Sequence, residues 1–318
     1  MKKYIPTVLT GLIVATLIIL GFVFNPPILS SKQIDTLIIL SSICGGSALY
    51  CFVVGELTKN NSQMDKLWSL LPIVYTWVIA SKAGFNERTI IYAILVTIWG
   101  VRLTSNFARK GAYKLKFWTG EEDYRWQVLR QNPILKNRFV WAIFDLLFIC
   151  VLQNTLVLAI CFPSLVVMES LTFLGLWDYL AIGLVTLFII IESIADEEQM
   201  SFYNIRGQYY KEGKKLEEMP YPFSLGFNTT GLWAYMRHPN YLSEQAIWIF
   251  LFLFVIAADE TVNYVFNWSM VGPLSLILLF IGSSTFSENT SSQKYPRYKD
   301  YQKQVFKYLP FRKFNPNK

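Results

Sequence analysis

Long apolar runs separated by short polar interruptions dominate the chain, and the period-two alternation of a half-buried strand is absent. A helix crosses the hydrocarbon of a bilayer with about 20 mostly apolar residues. Eight stretches approach that measure: Ile5–Phe24, Ile34–Gly55, Leu67–Ala80, Thr89–Phe107, Phe139–Phe162, Leu171–Ile194, Tyr241–Ala257 and Val262–Phe286. The third is short and the last is interrupted by Gly272-Pro273. The pattern predicts an all-α fold, a polytopic membrane helix bundle of about seven to eight transmembrane helices.

Composition agrees. The 318 residues are 53% apolar and 16% aromatic but only 16% charged, against roughly a quarter charged in a soluble domain. Cys44, Cys51, Cys150 and Cys161 all lie in apolar stretches without C-x-x-C or Cys/His spacing, so no metal site and no disulfide framework is expected. The first apolar run follows Lys2-Lys3 as a signal peptide's would, but it is longer than the usual core and no small-residue cleavage site follows. A retained first helix is expected.

Charge placement sets the expected topology. Most of the 29 Lys and Arg residues lie in Ala108–Arg138, in Ala195–Pro239, in the tail after Lys294, or at Lys2, Lys3, Lys59 and Lys66. With eight helices these all fall on one side, and the positive-inside rule makes that side, with both termini, cytosolic. The Lys59/Lys66 loop needs no explanation beyond topology. The other segments mix their basic residues with acids, Asn and aromatics, and read as ordered caps. No nucleic-acid-binding motif accompanies the charge, so a nucleic-acid partner is not expected.

Ionisable residues inside a bilayer are costly and usually line a polar cavity. On the fourth stretch Arg102, Asn106 and Arg109 form a stripe along one face. Snorkelling suits Arg109 but not the deeper Arg102. On the sixth, Glu192 and Asp196 stand one turn apart at a helix C-terminus, where carboxylates oppose the dipole. The neighbouring Glu197 and Glu198 read as a solvated helix end. The sharpest local signal is Arg237-His238-Pro239-Asn240-Tyr241 with Glu244 ahead of an apolar run. Proline favours the first position of a helix, so the seventh helix should start at Pro239 and carry Asn240 and Glu244 on one face. His238, the only histidine, stands directly before that start. A helix N-terminus beside Arg237 suits a phosphate or ribose.

This block resembles the C-terminal signature of the steroid 5α-reductase superfamily, in a bacterial branch of poorly characterised membrane proteins. Further matching blocks follow in order: Ser62-Gln-Met-Asp65-Lys-Leu-Trp68, Trp99-Gly-Val-Arg102 with Asn106, Glu122-Asp123-Tyr124-Arg125-Trp126, Glu192 with Ala195-Asp196, and Tyr295-Pro296-Arg297-Tyr298 with Leu309-Pro310. Together they span roughly residues 60–312. The ordered set is specific, whereas Arg-His-Pro-x-Tyr alone is shared with isoprenylcysteine and phospholipid methyltransferases.

The resemblance implies N-terminal helices over residues 1–60 and a reductase-like membrane domain over 61–318. It implies NADPH at the cytosolic end of the bundle and hydride transfer to the conjugated double bond of a steroid-like or other lipid enone. Arg102, Asn106, Arg109, Glu192, Asp196, Arg237, His238, Asn240, Tyr241 and Glu244 would hold the cofactor. By spacing from Arg102, the family's carbonyl-gripping glutamate and tyrosine fall near Asp65 and Trp99. These are departures: Asp reaches less far, and an indole N–H donates but is no acid. Asp65 would act as a neutral acid stabilising the enolate. Two alternatives stand beside this reading: an S-adenosylmethionine-dependent membrane methyltransferase, and a non-catalytic lipid-binding membrane protein. Membrane lipids are expected partners in every case.

Overall fold

The computed structural model describes residues 5–258 and 265–317. Lys2, Lys3, Lys318 and the start of the eighth apolar stretch at Val262 lie outside the described residues. The described chain is all-α: its sole bridge, between Met236 and Phe306, is isolated. Six of its helices are long and apolar enough to span a membrane, and two shorter apolar helices accompany them. The protein is a polytopic membrane helix bundle.

In chain order the main helices are α1 (Ile5–Phe24), α2 (Ser31–Thr58), α3 (Gln63–Leu67), α4 (Leu70–Lys82), α5 (Glu87–Arg109) and α6 (Tyr124–Arg130). They continue with α7 (Arg138–Ala159), α8 (Phe162–Val166), α9 (Leu176–Lys211), α10 (Pro239–Ala257, broken at Phe252), α11 (Val271–Lys294) and α12 (Tyr298–Gln304). Local chemistry sets several of the boundaries. Ser30 caps α2 in a capping box with Gln33, and Lys59 closes that helix in the left-handed region. Asn86 caps α5 by accepting from the Thr89 N–H at 2.9 Å. Within α7, residues Asp145–Leu152 widen into a π-helical turn.

The largest departure from the sequence pattern is α9. The apolar stretch ends at Ile194, yet the helix runs on to Lys211. Its polar extension still buries Ala195 and Phe202, so an apolar stripe continues beneath the charged residues. The helix stops at Gly213, whose positive φ lets the Gly213 and Lys214 N–H groups return to the Tyr210 and Tyr209 carbonyls at 3.1 Å each. At 36 residues, α9 measures about 54 Å, well beyond the ~30 Å of hydrocarbon. A second departure concerns Gly272-Pro273. The pair does not interrupt a helix but opens one, since α11 begins at Val271 and proline fits a first turn.

Two compact units make up the chain. The first comprises Val8–Ile182 and Leu251–Leu276. It contains the α4–α5 hairpin, closed by a turn in which Gly84 and Phe85 take positive φ. Close backbone approach also holds it together. A Cβ added at Gly272 would run into the Ala159 carbonyl and the Ile160 amide, so a small residue is required there. Gly272→Val is expected to lower stability by about 1–3 kcal/mol through overpacking, read as a loss of thermal stability in detergent. The second unit comprises Gly183–Phe250 and Ile277–Lys318. Leu225, Phe227, Tyr295, Tyr298, Tyr301, Val305 and Phe314 form a buried core there, which folds the tail onto the segment preceding α10.

Candidate functional site

The Arg-His-Pro block lies in the second unit, and α10 does begin at Pro239. Its basic residues are directed inward. Glu288 on α11 accepts from Arg237 Nε at 2.7 Å, from His238 Nε2 at 3.0 Å and from Gln302 Nε2 at 2.9 Å. Arg237 Nη1 also donates to the Gln302 carbonyl at 3.1 Å and to the Val305 carbonyl. Burial pushes the His238 pKa down, while Glu288 pulls it back up. In either protonation state Nε2 carries the proton that Glu288 accepts. The His238 ring stacks on Tyr241 with centroids 5.1 Å apart, and Tyr241 meets Phe280 edge-on at 4.8 Å. The backbone follows the same plan: Arg237 N–H donates to Phe306 O at 3.0 Å and His238 N–H to Lys307 O at 3.1 Å. The block is therefore the clasp that holds the tail.

Asn240 sits one residue past the start of α10 and donates from Nδ2 to Asp196 Oδ1 at 3.4 Å. Glu192 and Glu244 stand one turn away on the same two helices, and both are buried. This part of the expected cluster is brought together within one unit.

The first unit holds the remaining sequence candidates. Asp65 on α3 accepts from Trp126 Nε1 at 2.9 Å and lies 3.5 Å from Arg125 Nη2. Burial pushes the Asp65 carboxyl above its ordinary range, and Arg125 opposes the shift. Trp99 is fully buried on α5. Lower on that helix Asn106 is buried and accepts from Arg109 Nη2 at 3.2 Å. Arg102 lies between them, on the same helix.

Several residues with no assigned role in the sequence emerge as organising groups. Lys66, whose charge topology alone explains in the sequence, is fully buried and donates to the Phe117 and Thr119 carbonyls at 2.8 and 2.7 Å. Arg88 and Asp178 form a bidentate pair at 2.7 and 2.9 Å. Both are buried, and the Gly175 N–H also reaches Asp178, at 2.9 Å. A carboxylate inside the apolar Leu171–Ile194 stretch was the available signal for that pair.

The second unit also carries an open groove of about 520 Å³ along the polar end of α9. Ile194, Phe202, Ile205 and Phe223 line it together with Glu197 and Glu198. These two glutamates, which read as a solvated helix end in the sequence, thus border a mainly apolar hollow. Glu198 Oε2 accepts from the Leu232 N–H at 2.9 Å. Gly231 makes this possible, since a Cβ there would collide with the Glu198 carboxylate.

These findings correct the expected activity. The described residues hold no β-strand and so none of the sheet on which dinucleotide-binding folds seat a cofactor at a strand–helix turn. The cation placed nearest the expected phosphates, Arg237, is turned into the tail and matched by Glu288. The NADPH-dependent reductase, its oxidoreductase class and its cofactor are overturned on these grounds. The S-adenosylmethionine alternative falls with them. The roles expected of Asp65 and Trp99 were tied to that reaction.

Comparison with known proteins places the chain among uncharacterised relatives. The model of a family described as "Protein of unknown function (DUF1295)" matches residues 51–305. An uncharacterized protein of Schizosaccharomyces pombe is 33% identical over 278 residues, covering 82% of this chain and 78% of the relative. No solved structure matches.

Proposed function

We propose, for a chain that belongs to the DUF1295 family of proteins of unknown function, that it is a non-catalytic membrane protein that holds a lipid in the groove beside α9. The observation that carries this reading is the groove itself: a mainly apolar hollow with two carboxylates in its lining, on a helix too long to end within the hydrocarbon. An acyl or ring system would lie along Ile194, Ile205 and Phe223. Glu197 and Glu198 would accept hydrogen bonds from a hydroxyl or ammonium at the lipid's polar end, and they disfavour a bare phosphate there.

The exposed apolar side chains of the spanning helices, among them Leu12, Ile38, Ile98, Leu147 and Leu187, support contact with bulk lipid as well. In this reading the groove faces the cytosol, the side on which the positive-inside rule favours basic loops. The likeness to the steroid 5α-reductase superfamily then reflects a shared helical scaffold, with the Arg-His-Pro block kept as the clasp of the tail.

A diazirine-bearing lipid, photolysed with the protein in nanodiscs, tests the groove. Labelling is expected to concentrate on the peptides holding Ile194–Ile205 and Phe223. Ile205→Glu, a change at a partly exposed position, should reduce that labelling about tenfold, equivalent to ~1.4 kcal/mol, with little change in thermal stability. Equal labelling of both proteins would remove the groove from the account.

A further inference from the structure

A second hollow, of about 390 Å³, lies in the first unit where the end of α2 meets the start of α7. Its character is opposite to that of the groove beside α9. Lys59, Arg130, Lys136 and Arg138 line it against Glu56 alone, with Trp141 as an aromatic wall. The four cations are not equivalent. Arg130 is committed, because Glu122 accepts from it at 2.6 and 2.8 Å and its guanidinium stacks 4.7 Å from the Trp141 ring. Lys59 is shared with Glu56 at 3.2 Å and stays exposed. Lys136 and Arg138 are exposed and have no acidic partner among the described residues.

The surroundings of these cations are fixed. Asn137 between them caps α7, its Oδ1 accepting from the Phe139 and Val140 N–H groups at 2.9 and 3.3 Å. Asn61 is buried, and its Oδ1 is taken by Trp141 Nε1 at 3.3 Å and by Arg130. The Asn61 side chain is also hydrogen-bonded to the buried Asp145 carboxyl. Gly55 keeps the wall beside that amide open, since a Cβ there would come 3.2 Å from Asn61 Nδ2. Both α2 and α7 are long and apolar enough to span the membrane. Their adjoining ends therefore place the hollow at headgroup level, where a tryptophan also favours the boundary between apolar and wet surroundings.

We propose that this hollow binds the phosphate of an anionic phospholipid headgroup, with Lys136 and Arg138 as the principal cations and Trp141 against the glycerol region. Basic pockets between spanning helices have the charge and position to take such headgroups, and a guanidinium matches phosphate with two parallel hydrogen bonds. The committed Arg130–Glu122 pair positions the wall and need not bind directly. This site is separate in residues and in charge from the groove beside α9, so it stands or falls independently of the proposed function.

The test uses the full chain in neutral detergent, with thermal stability as the readout. Three additives are compared at equal concentration: short-chain phosphatidylglycerol, short-chain phosphatidylcholine and inorganic phosphate. Phosphatidylglycerol is expected to raise the melting temperature, phosphatidylcholine to leave it unchanged, and Lys136→Gln/Arg138→Gln to abolish most of the rise. Both substituted positions are exposed, so the variant should fold, and an unchanged melting temperature without additive checks this. Stabilisation by phosphatidylglycerol alone assigns the site to a lipid headgroup. Equal stabilisation by inorganic phosphate, also lost in the variant, assigns it to the free anion. The proposal is overturned by a response to phosphatidylcholine as large as that to phosphatidylglycerol, by a full response in the variant, or by no response at all.

Discussion

Asp178→Ala is expected to destabilise the first unit by about 3–5 kcal/mol, the cost of leaving a buried charge without its partner. Arg88 would lose both of its short ion-pair contacts and keep only neutral acceptors, such as the Thr172 hydroxyl at 3.0 Å and the Phe173 carbonyl at 3.1 Å. The cost arises from the survivor, not from the value of the pair. Removing both members, as in Arg88→Met/Asp178→Leu, should therefore recover most of the loss, because the cavity is then lined by apolar groups of similar size. Thermal unfolding of Arg88→Met, Asp178→Leu and the double variant, with Asp178→Ala beside them in one detergent, measures this cycle. If the double variant were as unstable as Asp178→Ala, the pair would not be the source of the effect.

Glu288→Ala is expected to act on the other unit with comparable size. Three donors converge on this carboxylate from separate parts of the chain: Arg237 and His238 before α10, and Gln302 on α12. Without it a largely buried guanidinium is left uncompensated, a loss of about 3 kcal/mol. The loss should be concentrated in the tail. Amide hydrogen exchange at Arg237 and His238, whose N–H groups bond to Phe306 and Lys307, is expected to rise to the level of an open segment. Glu288→Gln retains an acceptor and should show a smaller effect. Unaltered protection of these amides in Glu288→Ala would mean that the aromatic core around Tyr301 alone holds the tail.

The two predictions also mark what the sequence could and could not convey. Apolar run length revealed the spanning helices because bilayer thickness constrains every spanning segment in the same way. The start of α10 at Pro239 was legible too, since proline acts through its own neighbours. The extension of α9 to Lys211 was not. Glu197, Glu198 and Gln199 break the apolar pattern, and burial of Phe202 depends on Phe223, which stacks on it from a distant segment at 5.2 Å. The fate of Arg237 was hidden for a similar reason. A motif shows which groups are present, but Glu288, some fifty residues on, decides whether the guanidinium faces a ligand or the tail. Lys66 shows the same limit: as a single loop lysine it reads as topology, and only the fold of Phe117–Thr119 around it shows that it is a buried donor.

Two hollows among the described residues differ in character, one mainly apolar with two glutamates in its lining and one basic. Neither contains the residues to which the sequence assigned chemistry, apart from side chains adjacent to them in the chain. Lipid retention without conversion is the central claim that follows. Native mass spectrometry of the protein released from nanodiscs tests it most directly, before and after incubation with NADPH and with S-adenosylmethionine. The account predicts a retained lipid whose mass is the same in all three spectra. A retained lipid that gains two hydrogens with NADPH, or a methyl group with S-adenosylmethionine, would contradict it.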